Sequence, residues 1–544
     1  MDIRIISKEL IKPSSPSIHH RLPFKLSLFD QLLPTTYIPM VFFYPTNNNQ
    51  DFKGLRISTQ LKRSLSQTLS TFYPLSGRVR NNSFIDNYEK GAPVVETRVK
   101  GSLFDFLKQP QLDLLNKFLP CQPFGYESDP EATPQVAIQV NTFDCGGTAL
   151  GLCFSHKIID VATVIAFLDS WAANTRGYCR EKINPSLFEA SSRFPPRNEL
   201  LVQFPLWVTE KYLFKEGNVT RRFVFDADAI ATLKDKAKSK RVPNPSRTEA
   251  LSSFIWKSYT EACRSLCAQP RPSVSIHTVN IRQRTKPRFP RYSIGNLWRH
   301  AMTACELADT KIELNDLVSL TRESFTNLNY AYLKDFQGEN GFQGISGSLL
   351  KQLVEIGSRN PEIFFFSSWL QFDLNDVDFG WGKPIWVGLT GEVGRPLGWT
   401  NVTFFKQTGR NNEVEVWMTL NEKIMSVVER NAEFRKFSTP NPIFMDLMLL
   451  LFLSYPLLCG SALLSAVFPG FGREDVLVYI DDDNMFQIST EDGKFMSKFK
   501  LPDNATRDQL KADMVNGVLT VTIPKEVVVS HRPNVKVDEI EGSG

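Results

Sequence analysis

The sequence predicts an α/β body followed by an all-β tail, and three features of its patterning predict it. Residues 135–144 alternate apolar and polar side chains, Cys145-Gly146-Gly147 supplies a turn, and 148–155 form a second β-rich run. After Asp160 the period changes: Val161, Val164, Ile165, Leu168, Trp171 and Ala172 recur at helical spacing until Gly177 stops the run. Strand-like and helix-like segments alternate in this way through residue 434, whereas beyond 475 only the two-residue period remains.

The elements follow in order. Residues 1–12 alternate as an opening strand, 13–23 form a loop, and 26–44 hold apolar strand material around a turn at Leu32-Leu33-Pro34-Thr35-Thr36-Tyr37. Residues 54–73 read as a helix with Leu55, Leu61, Leu65, Leu69 and Phe72 on one face. A strand starts at 77–79, Asn81-Asn82 is a turn, 102–117 is a helix, and 119–134 is a loop rich in proline and glutamate. The irregular segment 196–219 reads as a crossover between a first domain, 1–195, and a second, 220–442. In the second domain the patterning predicts a strand at 220–225, helices at 227–240 and 246–268, and a strand at 274–282. A basic loop with Arg284, Lys286, Arg288 and Arg291 follows. Helices at 309–334 and 347–357, strands at 385–390, 400–406 and 413–420, and a helix at 421–434 complete it.

A chain of 544 residues that is 42% hydrophobic and 12% aromatic packs a large core rather than remaining disordered. Its formal charge of +5 divides into +11 over residues 1–442 and −6 over 443–544. A basic body suits an anionic small molecule, and no basic run interleaved with aromatics points to nucleic acid. The 8 cysteines form no CxxC pair, and Cys263 and Cys267 have no matching cluster, so neither a metal site nor a disulfide framework is expected. That implies a reducing, cytoplasmic compartment. The first nine residues carry alternating charges and lack the apolar core of a signal peptide.

The candidate for chemistry is His156, one of 6 histidines, placed where a buried strand ends and a helix begins. Such loops hold side chains rigidly at the mouth of a cleft, where a neutral imidazole can accept a proton. A lone histidine after a strand is more often structural than catalytic, and Asp160 has its own reading as the N-cap of the following helix.

A set of phrases in order changes that balance. These are Phe29-Asp30-Gln31-Leu32-Leu33, Tyr73-Pro74-Leu75-Ser76-Gly77-Arg78, His156 with Asp160, Asn280-Ile281-Arg282-Gln283-Arg284, Ile294-Gly295-Asn296, and Asp378-Phe379-Gly380-Trp381-Gly382-Lys383-Pro384. Together they resemble the BAHD acyltransferases of plants, in wording closest to the branch that acetylates alkaloids, from residue 1 to about 440. The resemblance implies two similar chloramphenicol-acetyltransferase-like α/β domains with a channel between them, working as a monomer. It implies acyl transfer, acetyl above all, from coenzyme A to a hydroxyl of a specialised metabolite. Acyl-CoA would be the cosubstrate and a small molecule the acceptor, with no permanently bound cofactor. His156 would be the general base, and Asp160 would turn away from substrate to pair with Arg282. Asp378, Phe379, Gly380, Trp381 and Gly382 would shape a structural loop on the coenzyme A side, and Thr35, Thr36 and Tyr37 would line the acceptor pocket. The chain departs from the family pattern with Val161 where glycine is common, and with Tyr292-Ser293-Ile294-Gly295-Asn296 where many members are one residue shorter. No GxSxG elbow and no recognisable Cys–His pair occurs, so direct attack rather than a covalent acyl-enzyme is expected. The Asp-Phe-Gly triplet lacks the companion motifs of kinases. A binding protein without catalysis on the same scaffold is the alternative.

The tail has a separate origin in the patterning. Residues 443–468 carry one charge, Asp446, over a length that would span a bilayer or serve as a signal-like segment. Beyond them, 469–544 resemble the later part of the α-crystallin domain of small heat-shock proteins, in phrases such as Phe499-Lys500-Leu501-Pro502 and Asn516-Gly517-Val518-Leu519-Thr520-Val521. Strands are expected at 475–480, 484–489, 496–500 and 518–523. The opening strands of that domain are missing, which would leave a partial all-β tail with open edges. The tail could therefore associate with itself, with membranes or act as a chaperone-like appendage.

Overall fold

The computed structural model describes residues 1–441 except 16–21, 46–53, 109, 124–128, 130, 178–184, 198–213, 216, 267–270, 306–312, 349–360, 390–397 and 410–411. Within 442–544 it describes 451–454, 461–467, 473–480, 485–490, 496–500, 511–515 and 518–524. Most of the crossover expected at 196–219 and of the helix expected at 347–357 lies outside the described residues. Two compact units result, one essentially Met1–Pro442 and the other Ile443–Gly544.

The first half of the body runs β1 (Ile3–Ile11), α1 (Leu28–Gln31), β2 (Tyr37–Tyr44), α2 (Gly54–Thr71), β3 (Ala92–Val99), β4 (Val136–Phe143), β5 (Thr148–Ser155) and α3 (Val161–Arg176). All eight residues of β2 and of β5 are buried, as a central strand covered on both faces requires. Asp160 caps α3, its side chain accepting the Thr163 N–H, and Gly177 ends the helix at φ 73°, in the left-handed region glycine tolerates. Trp171 of α3 donates through Nε1 to the Leu61 carbonyl of α2 at 3.1 Å, which locks the two helices together.

The second half contributes β6 (Asn218–Phe225), α4 (Arg247–Leu266), β7 (Ser273–Asn280), β8 (Trp298–Cys305), α5 (Leu314–Asn327), β9 (Glu362–Ser368), β10 (Trp386–Gly388), β11 (Val402–Gln407), β12 (Val414–Asn421) and β13 (Thr439–Pro440). Two mixed sheets form. The first has the order β1-β3-β4-β5-β2-β10, and the second β8-β7-β9-β11-β12-β6-β13. The halves interlock, because β10 leaves the second half and pairs antiparallel with β2 of the first. Trp386 of β10 stacks on Phe43 at 5.2 Å and on Trp417 of β12 at 6.1 Å. A core of Phe223, Phe254, Trp256, Phe364, Phe366 and Phe434 lies behind the second sheet. Each such side chain, fully buried, contributes about 1.5–3 kcal/mol.

Several boundaries differ from the sequence reading. Residues 28–31 are a helical turn, closed by a reciprocal capping box between Ser27 and Asp30. The helix expected at 102–117 splits into Leu103–Lys108 and a 3-10 turn at Leu112–Phe118, since Pro110 between them has no N–H to donate. The helix expected at 309–334 ends at Asn327, and Asn329 caps a separate turn, Tyr330–Leu333. Strands β3, β8 and β9 have no counterpart in the sequence reading.

In the second unit, β16 (Val476–Ile480), β17 (Met485–Thr490), β18 (Met496–Lys500) and β20 (Val518–Pro524) match the expected strands, and β19 (Lys511–Val515) is additional. The apolar stretch is strand where it is described: β14 (Leu451–Ser454) and β15 (Ser461–Val467). They pair in the order β14-β15-β20-β19, beside a second sheet β16-β17-β18. The described part of the apolar stretch thus supplies two of the four strands of the first of these sheets. Among the described residues no helix is long and apolar enough to cross a membrane.

His277 of β7 shows what this packing does to a titratable group. Its ring stacks on Phe366 at 4.9 Å and meets Phe325 edge-on at 5.0 Å, and no described residue pairs with Nε2. Burial pushes its pKa down to about 3. The unfolded chain, with an ordinary value near ~6.5, binds the proton first. Stability contributed by the neutral ring is therefore present near neutral pH and is lost as pH falls toward 3, by about 1.4 kcal/mol per pH unit. Melting temperatures between pH 7 and 4 should fall less steeply for His277→Phe than for the wild type, and equal slopes would contradict this account.

Candidate active site

His156 is the first residue after β5, and its backbone N–H donates to the Thr36 carbonyl at 2.7 Å, just ahead of β2. The two central strands of the first sheet therefore hold the imidazole where they end together. Nδ1 lies 3.0 Å from Oδ1 of Asn296. The amide orientation of Asn296 is set independently: its Nδ2 donates to Oδ1 of Asp30 and to the His156 carbonyl, both at 2.8 Å. With both amide hydrogens engaged, Oδ1 faces the ring as an acceptor, so Nδ1 carries the proton and Nε2 keeps its lone pair. Burial lowers the pKa of His156 below the ordinary histidine value.

Asp30 anchors this arrangement from 126 residues away in sequence. Its carboxylate accepts the Ser27 hydroxyl at 2.6 Å, the Ser27 N–H at 2.9 Å and the Asn296 N–H at 2.8 Å. Burial raises its pKa, against the opposing effect of those hydrogen bonds. Gly295 lets the chain approach: at φ 119° its position is one L-residues avoid, and an added Cβ would lie 3.3 Å from the Cβ of Ala190. Lys157 is buried beside them, its Nζ donating to the carbonyls of Asp30, Gln31 and Leu33 at the end of α1. Burial pushes its pKa down to about 7.

Asp160 is held by Arg282. Its two oxygens accept a bidentate pair from Arg282, at 2.6 and 3.0 Å. They also accept the N–H of Thr163 at 2.9 Å and of Leu297 at 3.1 Å. Arg282 further donates to the carbonyls of Ser293 at 2.8 Å and Gly295 at 3.1 Å. Both side chains are buried, so this cluster staples α3 to the segment that carries Asn296.

The loop at 378–382 lies against α3. The Asp378 carboxylate accepts the N–H groups of Gly380 at 2.7 Å and Gly382 at 3.0 Å, closing a tight turn with both glycines at positive φ. Phe379 stacks on Trp381 at 5.6 Å and meets Trp171 of α3 edge-on at 4.9 Å. Thr35, Thr36 and Tyr37 are buried, and the Tyr37 hydroxyl donates to the Pro134 carbonyl at 3.0 Å. The contribution of Thr36 here is its backbone carbonyl. Trp298, first residue of β8, has its ring centroid 6.0 Å from that of His156.

In the sequence Asp30 and Asn296 stand out only as members of the longer phrases. The available signal was that two such phrases each carry a short-armed polar residue beside a glycine or a helical turn, which suits a buried hydrogen-bond relay. Lys157 and Trp298 gave no signal of their own. No three His, Cys, Asp or Glu side chains converge among the described residues.

Comparisons with known proteins agree with this architecture. Residues 1–435 match the model of the Transferase family, and 464–538 that of the Hsp20/alpha crystallin family. Akuammiline synthase 2 of Alstonia scholaris is 39% identical over 450 residues, 82% of this chain and 99% of that protein. Epi-neemfruitin B 7-O-acetyltransferase of Melia azedarach is 37% identical over 81% of this chain and 99% of its own length. Among solved structures, vinorine synthase superposes with a TM-score of 0.67 at 30% identity, over 80% of this chain and 98% of its own. The F. sporotrichioides TRI101 complex with coenzyme A and T-2 shares the fold, with a TM-score of 0.59 at 19% identity over 77% of this chain and 100% of its own. A body matched from end to end by one family model, and by relatives over nearly their whole length, makes this chain a BAHD acyltransferase of the Transferase family, followed by an Hsp20/alpha crystallin segment.

Proposed function

We propose that the chain transfers an acetyl group from acetyl-CoA to a hydroxyl of a plant specialised metabolite, with His156 as general base. The observation that carries this reading is the Asn296 contact, which leaves Nε2 of a neutral imidazole free to accept a proton. The acceptor O–H gives its proton to Nε2 while the oxygen attacks the thioester carbonyl. The tetrahedral intermediate collapses with loss of the coenzyme A thiolate, which takes the proton back from Nε2. Asp160 and Arg282 hold the scaffold, and the 378–382 loop braces α3. The relative named for 7-O-acetyl transfer and the structure solved with coenzyme A support the choice of reaction and cosubstrate. The +11 charge of residues 1–442 suits an anionic cosubstrate.

The test is release of coenzyme A from acetyl-CoA with a panel of alkaloid and terpenoid alcohols. Release with some of these acceptors and none without them supports the reading. Release with none of them, together with tight acceptor binding, identifies a binding protein. Truncation after Pro442 is expected to leave the rate unchanged, because the body closes both of its sheets without the tail. An inactive truncated body would make the tail part of the working enzyme.

A further inference from the structure

The face that β8 turns toward His156 is unlike its other face. Strand register puts Trp298 opposite Asn280, His300 opposite Thr278 and Met302 opposite Ile276, which in turn pairs with Phe365. Trp298, His300, Met302 and Phe365 therefore share one face and, with Phe404, stay partly exposed. On the opposite face Arg299 packs over the rings of Phe29 and Phe336, and Ala301 is buried. Rings run in a line away from the base: His156 to Trp298 at 6.0 Å, Trp298 to His300 at 4.9 Å, and His300 to Phe365 at 6.1 Å.

His300 is the one polar ring in that line beyond the base. It is partly exposed, and no described residue makes a hydrogen bond to either of its ring nitrogens. Desolvation of the ring by burial, and then the charge of neighbouring Arg299, push its pKa down to about 3, so at neutral pH it offers one donor and one acceptor without charge. Its backbone lies one pleat repeat, ~7 Å, along the strand from that of Trp298, with the two rings 4.9 Å apart. The strands β7, β8 and β9 present no carboxylate on this face. Asp160 and Asp30 are already engaged by Arg282 and by Ser27 and Asn296. Among the described residues of these strands a cationic acceptor would therefore find no free counter-charge.

We infer that this face is the acceptor wall, that it takes an uncharged, fused-ring alcohol, and that His300 is a specificity-determining residue. It hydrogen-bonds an acceptor oxygen remote from the hydroxyl being acylated. The inference rests on the proposed function for the role of His156, but acceptor binding tests it without turnover. The full chain is titrated with androstanediol, with androstanol lacking the second hydroxyl, and with an amine analogue charged at neutral pH, following tryptophan fluorescence, and acetyl-CoA turnover is measured alongside. The wild type should bind the diol about tenfold more tightly than the mono-ol, and more tightly than the amine. His300→Phe should erase the diol preference while keeping mono-ol affinity and the KM for acetyl-CoA, and His300→Gln should restore part of it. A diol preference retained in His300→Phe, no preference in the wild type, or no binding of either alcohol would each overturn the assignment. Discrimination in binding without any coenzyme A release would uphold His300 and refute the acyl-transfer reading.

Discussion

Replacing His156 with alanine is expected to lower kcat by ~10²–10⁴-fold, the range a positioned general base supplies, while leaving the melting temperature nearly unchanged. Among the described residues the imidazole makes one side-chain hydrogen bond, to Asn296, and Asn296 keeps its two contacts to Asp30 and the His156 backbone carbonyl in the variant. The loss should therefore fall on chemistry and not on folding. The pH profile gives the sign. The base works when neutral, and burial lowers its pKa, so the rate should hold through neutral pH and fall only below the ordinary histidine value. Retained turnover in the alanine variant would remove His156 from the mechanism.

The second large effect is on stability. Asp160 and Arg282 form a buried bidentate pair with further bonds to Thr163, Leu297, Ser293 and Gly295. Removing one partner strands the other's charge, at about 3–5 kcal/mol. Both Asp160→Asn and Arg282→Met should therefore unfold at clearly lower denaturant than wild type. The double variant should lose less than the sum of the two, as expected for residues in direct contact. Surviving Asp160→Asn enzyme should show a larger loss of stability than change in pH profile, and any shift of the acid limb should be toward lower pH, because the Asp160 charge raises the pKa of His156. A variant that melts like wild type yet has no activity would place Asp160 in the chemistry instead.

Legibility from sequence followed the strength of local signals. The boundary from β5 to α3 was readable because an eight-residue apolar strand, a capping Asp160 and a stopping Gly177 all coincide. Strand β8 was not, because Trp298, Arg299 and His300 alternate between a wall facing the site and a core that buries a guanidinium between rings, so neither face reads as apolar. Strand β9, with the run Ile363 to Phe366, is apolar on both faces and shows no period at all. The four residues of α1 are too few to display helical spacing. The relay from Asp30 through Asn296 to His156 joins three segments that only the folded chain brings together, so no spacing rule could reveal its geometry. In the tail, an apolar run long enough for a membrane was in part strand for a sheet, a choice decided by pairing partners and not by hydropathy.

The central claim is direct transfer by a neutral imidazole, and one measurement addresses it. The purified protein is mixed with acetyl-CoA, with and without an accepted alcohol, and free coenzyme A and the intact protein mass are followed together. Direct attack predicts coenzyme A release only when the alcohol is present, with no acetyl group on the protein at any time. A burst of coenzyme A without alcohol, accompanied by a protein that has gained an acetyl group, would contradict it.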